Sequence, residues 1–391
     1  MKWIAERWQE LCGRYKKGFL TFIICVLLFL IATLLTWFAT KSLYDQQAAK
    51  RWADNGDEYT QISCFYPISM TLSEFGFQSL HHSVEDALVK ASIESESEAA
   101  KLFVDAYSTS GKLTIATENY DKEVKAIGVS DHFFLFHPIK MLTGSYFDEN
   151  MIMKDGVILD EDTAFALYGS NDVVGMPVFI GNKPYYIRGV AAREDGYFAK
   201  KAGLSEAVCF VSIDTLETHG IIEGSYTYEV VMPNPVEGFA RNIVVAALND
   251  TEQKIEVVEN TNRYSMGAKK DVLLDFGIRS MSRNSILYPY WENIARAKED
   301  VCACLFVVQT IPFAIAVILL LWYVKIVYKN RTWSVRKITD KVSDAMYNRK
   351  YKKKGNDYEK MDSGSNGVNN ALPCKRLWKR KGRNIGQSGT K

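Results

Sequence analysis

Two long uncharged apolar runs constrain this 391-residue chain more than any other feature. Residues 18–40 read GFLTFIICVLLFLIATLLTWFAT, 23 residues without a charge. Residues 301–324 read VCACLFVVQTIPFAIAVILLLWYV, 24 residues, again uncharged. A helix needs about 20 apolar residues to cross about 30 Å of hydrocarbon. Each run therefore predicts a membrane span rather than a buried helix of a soluble protein. The first follows Lys16 and Lys17, a basic leader that suits a signal peptide or an anchor. It is longer than a signal-peptide core of about 7–15 residues, and no clear A-x-A site precedes Lys41, which favours an uncleaved anchor. The second run contains Gln309 and Pro312. Pro312 removes a backbone hydrogen bond and kinks a helix. Either the two residues face a partner helix, or the kink is one an ordinary anchor tolerates.

Charge sets the expected orientation. Residues 1–17 carry five Lys/Arg and two Glu, net +3, and residues 325–391 carry 19 Lys/Arg and five Asp/Glu, net +14. The whole chain is only +2, which leaves −15 for residues 18–324. Cytoplasmic flanks are enriched in Lys and Arg. Both termini are therefore expected in the cytoplasm and the acidic middle outside, in a cell (plasma) membrane. Trp37, Tyr44 and Trp52 beside one span, and Tyr288, Tyr290, Trp291 and Trp322 beside the other, suit interfacial aromatic belts. Composition is otherwise ordinary, at 47% hydrophobic and 24% charged residues, which excludes a disordered, collagen-like or disulfide-dense scaffold. A mean hydropathy of −0.13 excludes a carrier made mostly of lipid-facing helix. Of the seven cysteines only Cys64 and Cys209 fall in the outer part, either as one disulfide or as two buried thiols. Cys302 and Cys304 are too closely spaced for a zinc knuckle and read as packing within the span.

The region between the spans alternates strand and helix patterns. Residues 59–66 (YTQISCFY) predict a strand, and Ser79 to Tyr107 a helical stretch with Leu80, Val84, Leu88 and Ala91 on one face. LTIATENYDKEVKAIGVS (113–130) predicts a hairpin around Asn119, Tyr120 and Asp121. VILDED (157–162) predicts a strand leading into a helix that Gly169 ends as C-cap. PVFIGNKPYYIRGVAA predicts a second hairpin turning at Gly181 and Asn182. Strands follow at 207–213, 225–233 and 254–260, with a helix between Val236 and Asn249. Hairpins among helices argue for an α+β fold with mixed sheets, not a doubly wound parallel sheet. Residues 265–300 show no strand pattern and are expected to pack back toward the membrane.

No catalytic constellation emerges. The chain has no G-x-x-x-x-G-K-[ST] loop, no G-x-S-x-G elbow and no H-E-x-x-H pair. ATP-driven work is thus expected from another chain. Serines near glycine, at Gly144-Ser145 and Gly224-Ser225, read as turns. Asp131, His132 and His137, with His81 and His82, are a conceivable zinc set, but the FFLF around them argues for packing. Asp160, Glu161 and Asp162 could attract a cation, though a helix cap at Asp162 accounts for at least part of the acidic cluster more simply. No catalytic, cofactor-binding or metal-ligating residue is assigned, and no cofactor is expected. The basic clusters at 349–355 and 374–383 suit anionic headgroups or a partner. Nucleic acid is not expected. The polar stretch 361–370 predicts disorder.

Three stretches resemble the MacB-like periplasmic core domain of the ABC-transporter permease superfamily, which also includes FtsX-like and lipoprotein-releasing permeases. They are GVSDHFFLFHPIKMLTGSYF (128–147), VILDEDTAFALYGSNDVVGMPVFI (157–180) and YYIRGVAARE (185–194). In the second and third, Leu159, Ala164, Leu167, Gly169, Gly175, Ile180, Gly189 and Val190 fall where the family pattern places them, as turn and core residues. The resemblance implies a βαβ-type porter subdomain (55–125 and 205–262) with an inserted β-rich subdomain (about 126–200). Typical members have one transmembrane helix before this domain and three after it, whereas one apolar run follows it here. The expectation is a two-span relative working beside other subunits, or a truncated permease. The expected organisation is a basic N-terminus (1–17), a first span (18–40), an extracytoplasmic core domain (41–300), a second span (301–324) and a basic tail (325–391). The expected function is that of a non-catalytic membrane subunit of an ABC-type transport or mechanotransmission complex. Its expected partners are membrane lipids, an ATP-binding subunit and other membrane subunits, in a homo- or hetero-oligomer. The alternative is a membrane-anchored extracellular sensor or adaptor.

Overall fold

The computed structural model describes residues 16–41, 43–52, 58–93, 101–118, 120–147, 153–194, 196–202, 204, 206–250, 252, 254–276, 285–329, 339, 342–344 and 346. The basic clusters at 349–355 and 374–383, the 361–370 stretch, Cys12, Cys374 and Asn119 lie outside the described residues.

Both apolar runs form helices long and apolar enough to cross a membrane. The first is α1 (Lys16–Lys41). It is followed by a 3₁₀ turn at Tyr44–Gln46 and a short α2 (Ala48–Trp52). Between α1 and the last helix, the described residues build one mixed sheet with helices on its faces, the expected α+β class. In chain order the elements are β1 (Tyr59–Phe65), α3 (Glu74–Lys90), β2 (Val104–Ala116), β3 (Asp121–Val129), α4 (Phe133–Phe136), β4 (Met141–Gly144) and β5 (Gly156–Asp160). There follow α5 (Glu161–Tyr168), β6 (Pro177–Ile180), β7 (Lys183–Ala191), α6 (Tyr197–Lys201), β8 (Val208–Ser212), α7 (Ile213–His219), β9 (Ile221–Ile222) and β10 (Thr227–Pro233). The series ends with α8 (Phe239–Leu248), β11 (Glu256–Glu259), α9 (Met266–Leu274) and α10 (Tyr290–Lys329).

The main path of the sheet runs β11-β1-β10-β2-β3-β8-β5-β7-β4. Pairings are antiparallel except β3 with β8 and β5 with β7. The sheet is continuous where the sequence suggests several. The helical reading of residues 79–107 is corrected at its C-terminal end. α3 stops at Lys90, and Val104, Ala106 and Tyr107 belong to β2. Leu80, Val84 and Leu88 are its buried face, while Ala91 is the C-cap and exposed.

Alternation along β1 and β10 decides what each sheet face does, because successive side chains point to opposite sides. Ile62 and Cys64 of β1 and Tyr228, Val230 and Met232 of β10 join Leu80, Val84 and Leu88 of α3 and Val244 of α8 in one apolar cluster. The intervening residues Gln61, Ser63 and Glu229 are polar and equally buried. Ser63 and Glu229 sit directly opposite each other in the β1–β10 register. This second face carries the site described below. Cys64 and Cys209 belong to different apolar clusters and are both free thiols. Burial raises the pKa of each, in line with inert packing residues.

α10 is 40 residues long, about 60 Å at 1.5 Å per residue. Its first turns are buried within the domain through Tyr290, Trp291, Glu292, Ile294 and Ala295. Farther along, Gln309 donates a 3.1 Å hydrogen bond to the Thr36 hydroxyl of α1, and the Phe29 and Phe313 rings lie 5.4 Å apart. Pro312 is inside the helix and buried. Gln309 thus faces a partner helix, the first of the two alternatives the sequence leaves open.

Candidate functional site

The polar sheet face carries a chain of buried charge and hydrogen bonds that ties the end of α1 to the start of α10. It begins at Asp45, in the 3₁₀ turn that follows α1. His137, just past α4, contacts Asp45 through Nδ1 at 2.9 Å and Glu229 through Nε2. Ser63 donates to the other Glu229 oxygen at 2.5 Å, and Asn260 donates to Ser63 at 2.7 Å. Arg263 donates to the Asn260 side-chain oxygen at 3.1 Å and to Glu292 of α10 through both terminal nitrogens, at 2.6 and 2.7 Å. Its Nε donates to Glu299. Arg296 completes the series, with Nε on Glu292 at 2.7 Å and a terminal nitrogen on Glu256 at 2.6 Å.

Burial makes this network consequential, since an unpaired buried charge costs far more than an exposed one. His137, Glu229, Arg263 and Glu292 are each at most 5% exposed. Burial alone pulls the His137 pKa down. The Glu229 charge and the hydrogen bonds to Asp45 and Glu229 outweigh it, and the pKa is pushed up to about 9. With a carboxylate facing each ring nitrogen, this environment favours the imidazolium, which can donate from both nitrogens. The ring lies over the Trp291 indole of α10, ring centroids 4.1 Å apart, as a cation favours an aromatic face. Burial likewise opposes the Arg263 charge, but Glu292 and Glu299 hold its pKa well above the ordinary arginine value. The Arg296 guanidinium stacks 3.8 Å from the Tyr288 ring centroid. Beside the network, Arg51 of α2 donates to the Leu135 and Phe136 carbonyls at 2.7 and 3.0 Å, anchoring the segment after α1 to α4.

A second feature is a cleft of about 310 Å³, walled by Phe77 and His81 of α3, Asp105 and Tyr107 of β2, and Phe147 and Lys154 of the segment between β4 and β5. His81 Nδ1 lies 2.9 Å from Asp105, which also accepts from Tyr228 at 3.0 Å. The hydrogen bond to Asp105 raises the His81 pKa. Lys154 closes one side with a 3.0 Å contact to Asp214.

Of the zinc candidates singled out from sequence, His81, His82, Asp131 and His132 line this cleft, whereas His137 lies in the polar network. His132 meets Lys101 at 3.0 Å and His82 meets Glu85 at 3.4 Å, while both ring nitrogens of His137 are occupied by carboxylates. Among the described residues no group of three His, Cys, Asp or Glu side chains is arranged to hold a metal ion. The acidic triplet is taken up by local structure. The α5 cap is Asp160, whose side chain accepts from the Thr163 amide at 3.0 Å, and not Asp162. Glu161 accepts from the Arg193 amide at 3.1 Å and Asp162 pairs with the Arg193 side chain. Ser63, Glu229, Asn260, Arg263, Glu292 and Arg296 do not stand out in the sequence analysis. Glu229 inside the apolar YEVVM run was the available signal.

The fold and its polar seam define an α+β domain clamped to two helices of membrane-spanning length. A family model for the MacB-like periplasmic core domain matches residues 20–264, and the chain belongs to that family. It is 26% identical over 126 residues to the macrolide export ATP-binding/permease protein MacB of Neisseria gonorrhoeae, covering 32% of this chain and 19% of that protein. A probable export ATP-binding/permease protein of Pseudomonas fluorescens is 32% identical over 96 residues, 24% of this chain and 15% of its own length. The chain thus spans less than a fifth of these curated relatives. Among solved structures, the periplasmic region of MacB from Actinobacillus actinomycetemcomitans aligns with a TM-score of 0.35 at 14% identity, covering 56% of this chain and 93% of that one.

Proposed function

We propose that this protein is a non-catalytic membrane subunit of an ABC-type transport or mechanotransmission complex. Its domain between the helices faces outward, binds a substrate or partner, and couples that event to an ATPase on another chain. Both termini lie in the cytoplasm in this reading, supported by the +3 and +14 ends against the −15 remainder. Residues 55–125 and 205–262 form the porter-like part and about 126–200 the inserted part. The apolar cluster joining β1 and β10 to α3 and α8 supports the first of these. Membrane lipids, the ATPase and further membrane subunits are the partners.

One observation carries the reading. The network from Asp45 to Arg296 fixes both helices to the same sheet face through buried charge. Displacing the sheet against α10 would strip Arg263 or Glu292 of its partner. Rigid transmission therefore costs less than local slippage. Two tests follow. Native purification should recover an ATP-binding subunit, and a monodisperse protein without one counts against the proposal. Inserting two glycines after Asp300 breaks the continuity of α10 while leaving the network intact. Ligand-dependent ATPase stimulation should vanish while the partners still co-purify; unchanged stimulation removes the coupling role. A sensor or adaptor is the second reading, favoured by the aromatic-walled cleft at His81. Ligand-dependent output without any ATPase partner would establish it instead.

A further inference from the structure

The short helix α9 stands out because none of its residues is buried. Met266 is 71% exposed and Leu274 70% exposed, and Phe276 just beyond the helix is 53% exposed. Met266, Lys270 and Leu274 recur at four-residue spacing and share a face. Large apolar side chains in water carry a free-energy cost that a soluble fold normally avoids when they cluster.

The placement of α9 is fixed by what precedes it. Arg263 reaches Glu299, and the Tyr264 hydroxyl donates to the Ala295 carbonyl at 3.3 Å. Glu299 and Asp300 are the last charges of α10 before the uncharged run begins at Val301. α9 therefore lies beside the level where α10 would leave water for hydrocarbon. At the corresponding end of α1, Trp37 and Tyr44 are 50% and 64% exposed, and Lys41 sits 4.6 Å over the Trp37 ring. Exposed aromatic rings with a lysine beside them suit the interfacial layer.

We infer that α9 is an interfacial helix, lying in the outer-leaflet headgroup layer with Met266, Leu274 and Phe276 at the acyl boundary. Lys270 keeps its ammonium at the phosphates while its stem runs along the apolar face. Lys269 and Lys270 are balanced by Asp271 and Asp275. The attraction is therefore apolar, and a zwitterionic bilayer suffices. The inference rests on α10 being a membrane span, and the test separates the two.

Full-length protein is reconstituted in phosphatidylcholine nanodiscs. Nitroxide labels are placed singly at Leu274→Cys, at Ile318→Cys within the span, and at Val236→Cys on the domain, in a background with Cys12, Cys304 and Cys374 replaced by Ser. Collision with oxygen reports lipid, and collision with a nickel chelate reports water. The oxygen-to-nickel ratio at Leu274 should exceed that at Val236 and fall below that at Ile318. A Leu274 ratio equal to that at Val236 overturns the inference. So does exclusion of both reagents with spin–spin broadening, which would mean contact with a second copy. If Ile318 also reads as water, the span itself is wrong and the inference falls with it.

Discussion

His137 sits where burial and charge pull in opposite directions, and the balance has a measurable sign. Its folded-state pKa of about 9 lies above the unbound value of 6.5. A group of this kind contributes its stability in full below about 6.5 and loses it as pH rises through 9. That shift corresponds to an order of 3 kcal/mol at 1.36 kcal/mol per pH unit. The stability difference between the wild type and His137→Gln, measured by chemical denaturation, should be largest at pH 6 and shrink toward pH 9.5. A pH-independent difference would mean that His137 is neutral in the folded protein. Arg263 makes the same point without titrating. Arg263→Ala leaves Glu292 and Glu299 without their main cation and should destabilise by about 3–5 kcal/mol. Arg263→Lys should recover only part of this, because an ammonium cannot span Asn260, Glu292 and Glu299 as the guanidinium fork does.

At the scale of elements, local chemistry left clear marks in the sequence. The β6–β7 hairpin turns at Gly181 and Asn182 with φ of +54° and +64°, the left-handed pair that a two-residue turn requires. Gly169 ends α5 at φ +70°. The cap of that helix was misplaced by two residues, because Asp160, Glu161 and Asp162 are alike in chemistry. Only the extended backbone at Asp160 lets a side chain reach the Thr163 amide. Asp160→Ala should therefore cost about 1 kcal/mol in thermal or denaturant melts, and Asp162→Ala less than about half that. A reversed order would restore Asp162 as the cap. The overextended reading of α3 has a different cause. The first six residues of β2 are all buried, so the alternation that marks a half-exposed strand is missing there.

For the whole molecule, the class was legible and the site was not. Two uncharged runs and the stretch 157–190 sufficed for the class, since span length and turn chemistry are written in contiguous residues. The network draws on Asp45, Ser63, His137, Glu229, Asn260, Arg263 and Glu292, and only the register of β1 with β10 makes neighbours of Ser63 and Glu229. No local pattern encodes that. Topology is testable at the same scale. Protease added to intact cells should cut within residues 41–300 and spare the carboxyl-terminal tail; the opposite pattern inverts the orientation. The wide spacing of the network also dictates when it can close during synthesis. A nascent chain emerging from the ribosome holds Arg263 without its carboxylate partners until Glu292 and Glu299 have been made. This part of the network can therefore close only after α10 has begun to be made, and a chain that stops short of residue 292 leaves Arg263 without either carboxylate partner.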